Sequence, residues 1–423
     1  MPIQCAKSYS ESLLPQVESF HNVTIRFIIS AKYGTINKMP RPYNLIQIAG
    51  DKVFNIGSAL YERTLKLTMM AAIYMGVCGI VLVIFFLKPG VAVNSRATFL
   101  DMVNGSAHKP FVCRTLTPFV IREISDHSPQ LLKKVVCAII YRLMPVEIER
   151  LILEDKRDRS IASKDYRYCL GALIMYLCFL GYAILLYCLL REYYSFPNYV
   201  NEIAPVFGIL FLPVFFRYHS YIYDPSTLCL YTLGLLCISK RLHVTYYFVL
   251  VLAIFNKETA LLLLALYFLK EAPLVSRSRL IKHLVLQGMI FGLIRAYLWI
   301  AFKDNPGPSV EFHLDHNIFL ILDPLSKTTI GLLSVVLFCG MLVGFQWKHK
   351  PEFLRKGLLV TIVPLVGLAL FFGYLDELRA FYEMLPFIFL LSAPTIVKIF
   401  GIESPQDLAH TGYGDKHELQ RYE

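Results

Sequence analysis

Long apolar runs recur along most of this chain and are separated by short polar stretches. The first, residues 68–87, holds twenty residues without a charge, which is the length an α-helix needs to cross a bilayer. Together the runs predict about ten membrane-spanning helices: 68–87, 168–190, 203–216, 225–239, 244–255, 259–269, 284–302, 328–346, 357–373 and 380–399. The pattern therefore predicts an all-α, polytopic integral membrane protein.

The polar segments divide the chain into three parts. Residues 1–67 contain more Lys and Arg than Asp and Glu and are predicted to form a cytoplasmic N-terminal segment. Residues 401–423 are predicted to form a polar cytoplasmic tail. The transmembrane domain is expected over residues 68–400. Within it, residues 88–167 predict a long first extracytoplasmic loop that carries amphipathic helices, and the sequence leaves open whether 134–167 is external or cytoplasmic.

Composition supports the membrane class and excludes others. The 423 residues are 56% hydrophobic with a mean hydropathy of +0.52, which excludes an ordinary soluble domain. The net charge of +11 comes from basic residues scattered through short loops, which is typical of a membrane protein and not of a nucleic-acid-binding one. The ten cysteines include no CxxC pair and predict no disulfide framework.

Three short loops are basic: Lys240-Arg241, Lys270 to Lys282, and Lys348 to Lys356. If the predicted spans alternate, all three lie in the cytoplasm, as the positive-inside rule requires. This arrangement places a four-residue polar stretch, Asn256 to Thr259, on the extracytoplasmic side. The apolar arms on either side of it are shorter than a full crossing, so we expect the tip of this hairpin to lie below the membrane surface.

Four external segments bring carboxylates and cations to the same predicted side. Such a mixture suits a site that handles a phosphate or a hydroxyl-rich substrate. The candidate residues are Asp101, His108 and Arg114 in the first loop, His219 and Asp224 between the third and fourth spans, Lys257 and Glu258 in the hairpin, and Glu377 and Arg379 in the last turn.

Each candidate also has a plainer interpretation. Asp224 precedes a proline and could cap a helix, whereas Arg379 could extend towards the membrane surface. Glu377 and Arg379 are two residues apart and would not face each other on a helix. Arg295 lies deep in a predicted span, where a cation should face the bundle interior and bind an anion or pair with a carboxylate.

The stretch from Glu311 to His316 contains metal-ligand residue types but no established spacing motif. We interpret it as a solvated external loop, and we assign no metal ligands. The chain also lacks a Gly-rich phosphate loop and a GxSxG sequence, which argues against a nucleotide-driven pump or a common hydrolase.

Several short motifs resemble those of multi-pass membrane proteins, mostly bacterial, that share features of the C-type superfamily of integral-membrane glycosyltransferases. The similar pieces are Pro110 to Pro118, Tyr223-Asp224, Asn256 to Leu261, and Glu377 to Arg379. The resemblance implies a sugar donor linked to a lipid phosphate. It also implies that an acidic residue of the first external loop acts as base or metal ligand, a role that falls on Asp101 here.

These patterns predict a membrane glycosyltransferase that moves a sugar from a polyprenyl-phosphate-linked donor to an acceptor on the extracytoplasmic face. Asp101 would act as the base, and Lys257, Arg295 and Arg379 would neutralise the leaving phosphate. The expected partners are membrane lipid and the donor, with no nucleic acid, and a divalent metal is the one cofactor left open. We expect the bacterial inner membrane, with the endoplasmic reticulum as the alternative.

Two other functions remain open from the sequence. A transporter or flippase without covalent chemistry would line its substrate path with the same charges. In a structural membrane subunit, these polar residues would pair only with one another.

Overall fold

A computed structural model describes residues 42–87, 91, 94–144, 162–308 and 310–402. In the helix that begins at residue 42, side chains are described from residue 61, and in the helix that begins at residue 162 they are described from residue 166. The described range excludes residues 1–41 of the predicted N-terminal segment, the tail from 403 and part of the first loop. The chain divides into two units, Met1–Met69 and Met70–Glu423, and every site described below belongs to the second.

All regular structure in the described residues is helical, with no strand among them, so the all-α prediction is confirmed. The α-helices are α1 (Pro42–Leu87), α2 (Phe99–Asn104), α3 (Leu116–His127), α4 (Gln130–Leu143), α5 (Ala162–Tyr193), α6 (Asn198–Leu210), α7 (Asp224–Ser239), α8 (His243–Asn256), α9 (Leu262–Glu271), α10 (Arg277–Ala301), α11 (Leu314–Leu322), α12 (Lys327–Gly344), α13 (Glu352–Phe372) and α14 (Leu385–Ile399). Short 3₁₀ turns occupy Phe111–Cys113, Leu212–Phe215, Glu258–Leu261, Trp347–His349 and Leu378–Met384.

Seven helical segments of the described chain are long and apolar enough to cross a membrane, as expected for a multi-pass integral membrane protein. They are Tyr61–Leu87, Tyr166–Tyr193, Asn198–Phe215, Arg277–Ala301, Lys327–Gly344, Glu352–Phe372 and Leu378–Ile399. The other three predicted spans, 225–239, 244–255 and 259–269, are helical but short. All ten predicted spans therefore contain helix, but only seven of the described segments are long enough to cross a membrane.

The hairpin of α8 and α9 explains part of this difference. At 1.5 Å per residue, its 14-residue and 10-residue arms are roughly 21 Å and 15 Å long, well short of a hydrocarbon core of about 30 Å. Its polar tip is also buried, since Asn256 and Lys257 are 1% and 6% exposed.

Helix α7 lies at the centre of the bundle and packs against α5, α8 and α9. Twelve of its sixteen residues are buried. Close approach to α9 depends on Gly234, where an added Cβ would lie 2.9 Å from a methyl group of Leu263. By contrast, only 11% and 17% of the residues in the most apolar 18-residue stretches of α10 and α12 are buried, as expected for helices that face lipid.

Side-chain contacts join the three basic loops at one end of the bundle. Arg241 forms a two-point ion pair with Glu271, with nitrogen-to-oxygen distances of 3.0 and 2.9 Å. The ammonium of Lys270 lies 5.1 Å from the centre of the Phe353 ring at the start of α13. The loops with mixed charge meet at a different place, described next.

Candidate functional site

The polar segments that the sequence assigned to the external side contact one another directly. Thr115 in the first loop donates its backbone N–H to Phe255 at the end of α8, at 2.9 Å. The amide nitrogen of Asn256 donates to the Tyr223 carbonyl at 3.1 Å and to the Thr227 hydroxyl at 2.9 Å. These bonds hold the hairpin tip between the first loop and the start of α7.

Glu258 is shared by two arginines from different parts of the chain. Arg114 binds it at two points, with 2.6 Å from Nη2 to Oε1 and 3.3 Å from Nε to Oε2. Arg295 approaches the same carboxylate, with 3.9 Å from Nη2 to Oε2, and its Nη1 lies 3.4 Å from the Cys113 carbonyl. Burial raises the pKa of the Glu258 carboxyl, but Arg114 and Arg295 lower it further, and the resulting pKa is about 2. Glu258 is therefore ionised at neutral pH and is a poor proton acceptor.

Lys257 points to a different partner from its neighbour. Its Nζ lies 2.9 Å from Oε1 of Glu383, and the two side chains are 8% and 1% exposed. Thr259 donates its hydroxyl to the same carboxylate oxygen. Glu383 is not among the residues that the sequence pattern predicts for the site, although an acidic residue at the start of an apolar run is a signal that it needs a partner.

Glu377 and Arg379 form an ion pair, contrary to the expectation from their spacing. Both Nε and Nη2 of Arg379 donate to Oε1 of Glu377, at 2.9 and 2.7 Å. The pair forms because Glu377 precedes the 3₁₀ turn and has a non-helical backbone, with φ −84° and ψ 76°. Arg379 is only 8% exposed, so its guanidinium is enclosed by protein.

Asp224 also differs from its predicted capping role. Helix α7 begins at Asp224 itself, and Oδ2 accepts a hydrogen bond from the preceding Tyr221 N–H at 3.0 Å. The other oxygen, Oδ1, lies 3.7 Å from Nη1 of Arg379. The carboxylate therefore stabilises the 217–224 turn and the buried arginine.

Two stacked tyrosines lie between the arginines. The Tyr221 and Tyr223 rings are 5.3 Å apart and nearly parallel; Arg379 lies 4.2 Å from the first ring centre and Arg114 lies 4.7 Å from the second. Contacts at this range are favourable cation–π geometry. His219 lies beside them, and burial lowers the pKa of its imidazole. Its Nδ1 is buried without a hydrogen-bond partner among the described residues.

Asp101 belongs to a local capping arrangement. Thr98 caps α2 by accepting the Asp101 N–H, and the Thr98 hydroxyl donates to Oδ2 of Asp101 at 2.9 Å. Ser106 donates to Oδ1 at 3.0 Å, and Asp101 is only 9% exposed. Reciprocal bonds of this kind stabilise a helix start. The side chain accordingly has a structural role, whatever other role it serves.

One cavity of about 360 Å³ lies beside α10 and is lined by Lys109, Pro110, Cys113, Arg295, Ala296 and Trp299. We call it the α10 cavity. Two of its lining side chains are cations, and Trp299 on its rim is 62% exposed.

A second, more open cavity of about 580 Å³ is lined by Arg96, His108, Gly307, Pro308, Val310, Glu311, Phe312 and His313. We call it the His313 cavity. The two cavities are neighbours, because consecutive residues His108 and Lys109 line one each, and the Lys109 N–H donates to the Pro306 carbonyl at 2.8 Å. Gly307 makes this approach possible: its φ is +89°, and an added Cβ would lie 3.0 Å from the Lys109 carbonyl oxygen.

The predicted residues thus gather in one region but do not share one cavity. Arg295 lines the α10 cavity and His108 the His313 cavity, whereas Lys257 borders a space of about 10 Å³ next to Glu383. Arg114, Asp224, Glu377 and Arg379 form the buried network behind them. Within the described ranges, no three His, Cys, Asp or Glu side chains form a group that could hold a metal ion.

Comparison with known proteins gives no relative to draw on. No family model, no curated protein and no solved structure matches the chain. The function is therefore argued from the chemistry of the two cavities and of the buried network.

Proposed function

We propose that the protein is a membrane glycosyltransferase that transfers a sugar from a polyprenyl-phosphate-linked donor to an acceptor on the extracytoplasmic face. The observation that carries the proposal is the α10 cavity, where Arg295 and Lys109 line a space beside a helix with a lipid-facing surface. A lipid phosphate needs this combination of cations and adjoining hydrocarbon.

The charge of the network supports an anionic ligand. Arg114 and Arg295 share the single carboxylate of Glu258, so two positive charges face one negative charge. Since Glu258 stays ionised, the remaining positive charge is available to a phosphate that enters beside Arg295. Arg114 is fixed by Glu258 and Tyr223, and its role is to hold Glu258 and to maintain the field of the cavity.

The environment of the cavity supports a lipid-linked phosphate more than a free one. Trp299 and Tyr297 are each 62% exposed on α10, a few residues beyond Arg295. Aromatic rings of this kind are enriched where a membrane helix meets the headgroup layer. A polyprenyl chain would run along the outer surface of α10, with its phosphate at Arg295 and its sugar towards the external loops.

The test is binding of undecaprenyl phosphate to the full-length protein in nanodiscs, followed by turnover of undecaprenyl phosphates that carry glucose, mannose or galactose. We expect Arg295→Ala to weaken binding roughly 10-fold to 100-fold, the effect of losing a charged hydrogen bond. The matched control is Arg279→Ala, which removes an exposed arginine near the other end of the same helix. If Arg295→Ala and wild type bind undecaprenyl phosphate equally well, the donor phosphate does not bind at Arg295.

One observation favours a second candidate, a carrier for the same lipid. The short arms of α8 and α9 place a buried polar tip inside the bundle, as broken helices do in transporters. Protein in liposomes that moves undecaprenyl phosphate between leaflets and gives no covalent product would favour the carrier over the transferase.

A further inference from the structure

The His313 cavity contains a hydrogen-bonded histidine and glutamate that the donor site does not use. Nε2 of His313 lies 3.2 Å from Oε2 of Glu311, and the other oxygen of Glu311 is bound by Arg96. The imidazole also stacks on Tyr374, with ring centres 4.2 Å apart and planes 28° from parallel. These contacts fix the ring on two sides.

The bond to Glu311 determines which nitrogen is available for chemistry. A carboxylate accepts a hydrogen bond from the Nε2–H tautomer of the ring, and Nδ1 is then left as the proton acceptor. Both side chains are about one-fifth exposed, at 21% and 19%, and they line an open cavity. The ring is thus held firmly while a hydrophilic molecule can still reach it.

The pKa of His313 suits a base at neutral pH. Burial lowers it, Glu377 raises it, and His316 and Arg96 lower it further, so that the net shift is downward. The imidazole is therefore neutral at pH 7 and able to take a proton.

The other candidate bases in this region are carboxylates that already accept hydrogen bonds or form ion pairs. Both oxygens of Asp101 accept hydrogen bonds from Thr98 and Ser106, and Glu258 is held ionised by its arginines. Asp376 accepts from Tyr218 and lies 3.3 Å from His316. Among the described residues, His108 lines the same cavity but forms no ion pair with a carboxylate, and His316 pairs with Asp376 but does not line the cavity. His313 both lines the cavity and pairs with a carboxylate.

We propose that the His313 cavity binds a hydroxyl-bearing acceptor and that His313, oriented by Glu311, is the catalytic base that takes the proton from the acceptor hydroxyl. This inference rests on the proposed transferase and assigns the second substrate to a cavity adjacent to the donor site. The open, polar cavity suits a water-soluble acceptor such as a saccharide.

The step balances without a further reactant. The acceptor oxygen forms a bond to the anomeric carbon of the sugar while the bond from that carbon to the phosphate oxygen breaks. The electron pair leaves with polyprenyl phosphate, whose charge faces Arg295 and Lys109. The acceptor proton moves to Nδ1 of His313 and is then released to water, and Glu311 stabilises the imidazolium that forms.

The experiment measures transfer and slow donor hydrolysis as a function of pH from 5 to 9, with undecaprenyl phosphate binding measured in parallel. Hydrolysis uses water as acceptor, so it reports on the base without knowledge of the natural acceptor. We expect His313→Gln to lower the rate about 10²-fold to 10⁴-fold, the usual contribution of a general base, and to remove the loss of rate at acidic pH. Binding of undecaprenyl phosphate should stay within about twofold of wild type.

Glu311→Gln tests the orienting role without removing the hydrogen bond. Loss of the negative charge should lower the pKa of His313 and move the acidic limb of the profile to lower pH, with a smaller loss of rate. His127→Gln is the control, since that histidine is 80% exposed and its polar partner is the neighbouring Glu123 on α3. This pair of variants remains informative if His313→Gln fails to fold.

The two proposals fail in different ways. A His313→Gln variant with wild-type rate and pH profile overturns the assignment of the base and leaves the transferase intact. Loss of turnover in Asp101→Asn alone, with donor binding retained, also overturns the assignment of His313 and moves the base to Asp101. A wild-type protein that binds undecaprenyl phosphate but makes no product and hydrolyses no donor overturns the transferase itself.

Discussion

Arg114 and Glu258 are 144 residues apart in the chain and form a two-point ion pair at the tip of the α8–α9 hairpin. This pair connects the first external loop to the hairpin, and Arg295 joins it from α10. The pair fixes one carboxylate between two guanidinium groups, and the proposed phosphate site beside Arg295 depends on this arrangement.

Removal of Glu258 should leave two arginines without a counterion. We expect Glu258→Gln to lower the free energy of unfolding by roughly 1–3 kcal/mol, less than a fully buried pair because the Glu258 side chain is 38% exposed. Thermal unfolding in detergent is the measurement. The control Glu123→Gln breaks an exposed pair on α3 and should change stability by less than about 0.5 kcal/mol. Equal melting of the two variants would show that the Arg114 pair contributes no more than a surface contact.

The same carboxylate sets a pH dependence. Its pKa is about 2 in the folded protein, below the ordinary value of 4.5. Its contribution to stability is therefore fully present above about pH 4.5 and is lost as the pH falls towards 2. Wild type should lose more stability than Glu258→Gln between pH 5 and pH 3, and parallel curves for the two proteins would contradict this.

The buried pair of Lys257 and Glu383 should respond differently to single and double substitution. Lys257→Met leaves Glu383 buried without its cation and should cost roughly 3–5 kcal/mol. The double variant Lys257→Met, Glu383→Leu removes both charges and should recover most of that loss. Lys356→Met is the control, since its partner Glu352 is 66% exposed. A double variant no more stable than the single one would mean that the uncompensated charge of Glu383 is not the cause of the loss in Lys257→Met.

Gly307 lines the His313 cavity next to Lys109 of the α10 cavity and should not tolerate a side chain. Gly307→Ala forces a strained φ and places a Cβ 3.0 Å from the Lys109 carbonyl, so we expect a loss of roughly 1–3 kcal/mol and weaker donor binding. Gly288→Ala on α10 has open space around it and should be neutral or slightly stabilising. Unchanged melting and binding in Gly307→Ala would mean that the Lys109 segment moves freely.

Lys350 gives a pH prediction at the other end of the bundle. Its ammonium is 2.8 and 2.7 Å from the carbonyls of Leu342 and Val343, and burial lowers its pKa to about 8 from 10.5. Because the folded pKa is below the unfolded value, the unfolded state binds more protons between pH 8 and 10.5, and this residue makes stability rise with pH in that interval. Lys350→Met should remove that rise relative to wild type, as measured by unfolding at pH 7, 8.5 and 10.

Much of the fold follows from sequence because hydrophobicity and helix length are local properties. All ten apolar runs are largely helical, and the 244–255 and 259–269 runs form the two short arms of a hairpin, as their length predicts. The partners of the candidate site residues could not be predicted from the sequence in the same way. Asp101 is a candidate because of its position in the first loop, but its hydrogen bonds from Thr98 and Ser106 depend on a turn that the sequence pattern does not reveal.

The sequence by itself determined a helical membrane protein with basic loops and a set of charges that need partners, because transfer of apolar surface and burial of charge depend on residue type. Only the tertiary structure decided which partners they have. Lys257 and Glu258 are neighbours in the chain, yet the extended backbone at Lys257 directs one to Glu383 and the other to Arg114. An ion pair forms between groups that are close in space, and for residues more than a hundred positions apart that closeness is fixed by the packing of whole helices.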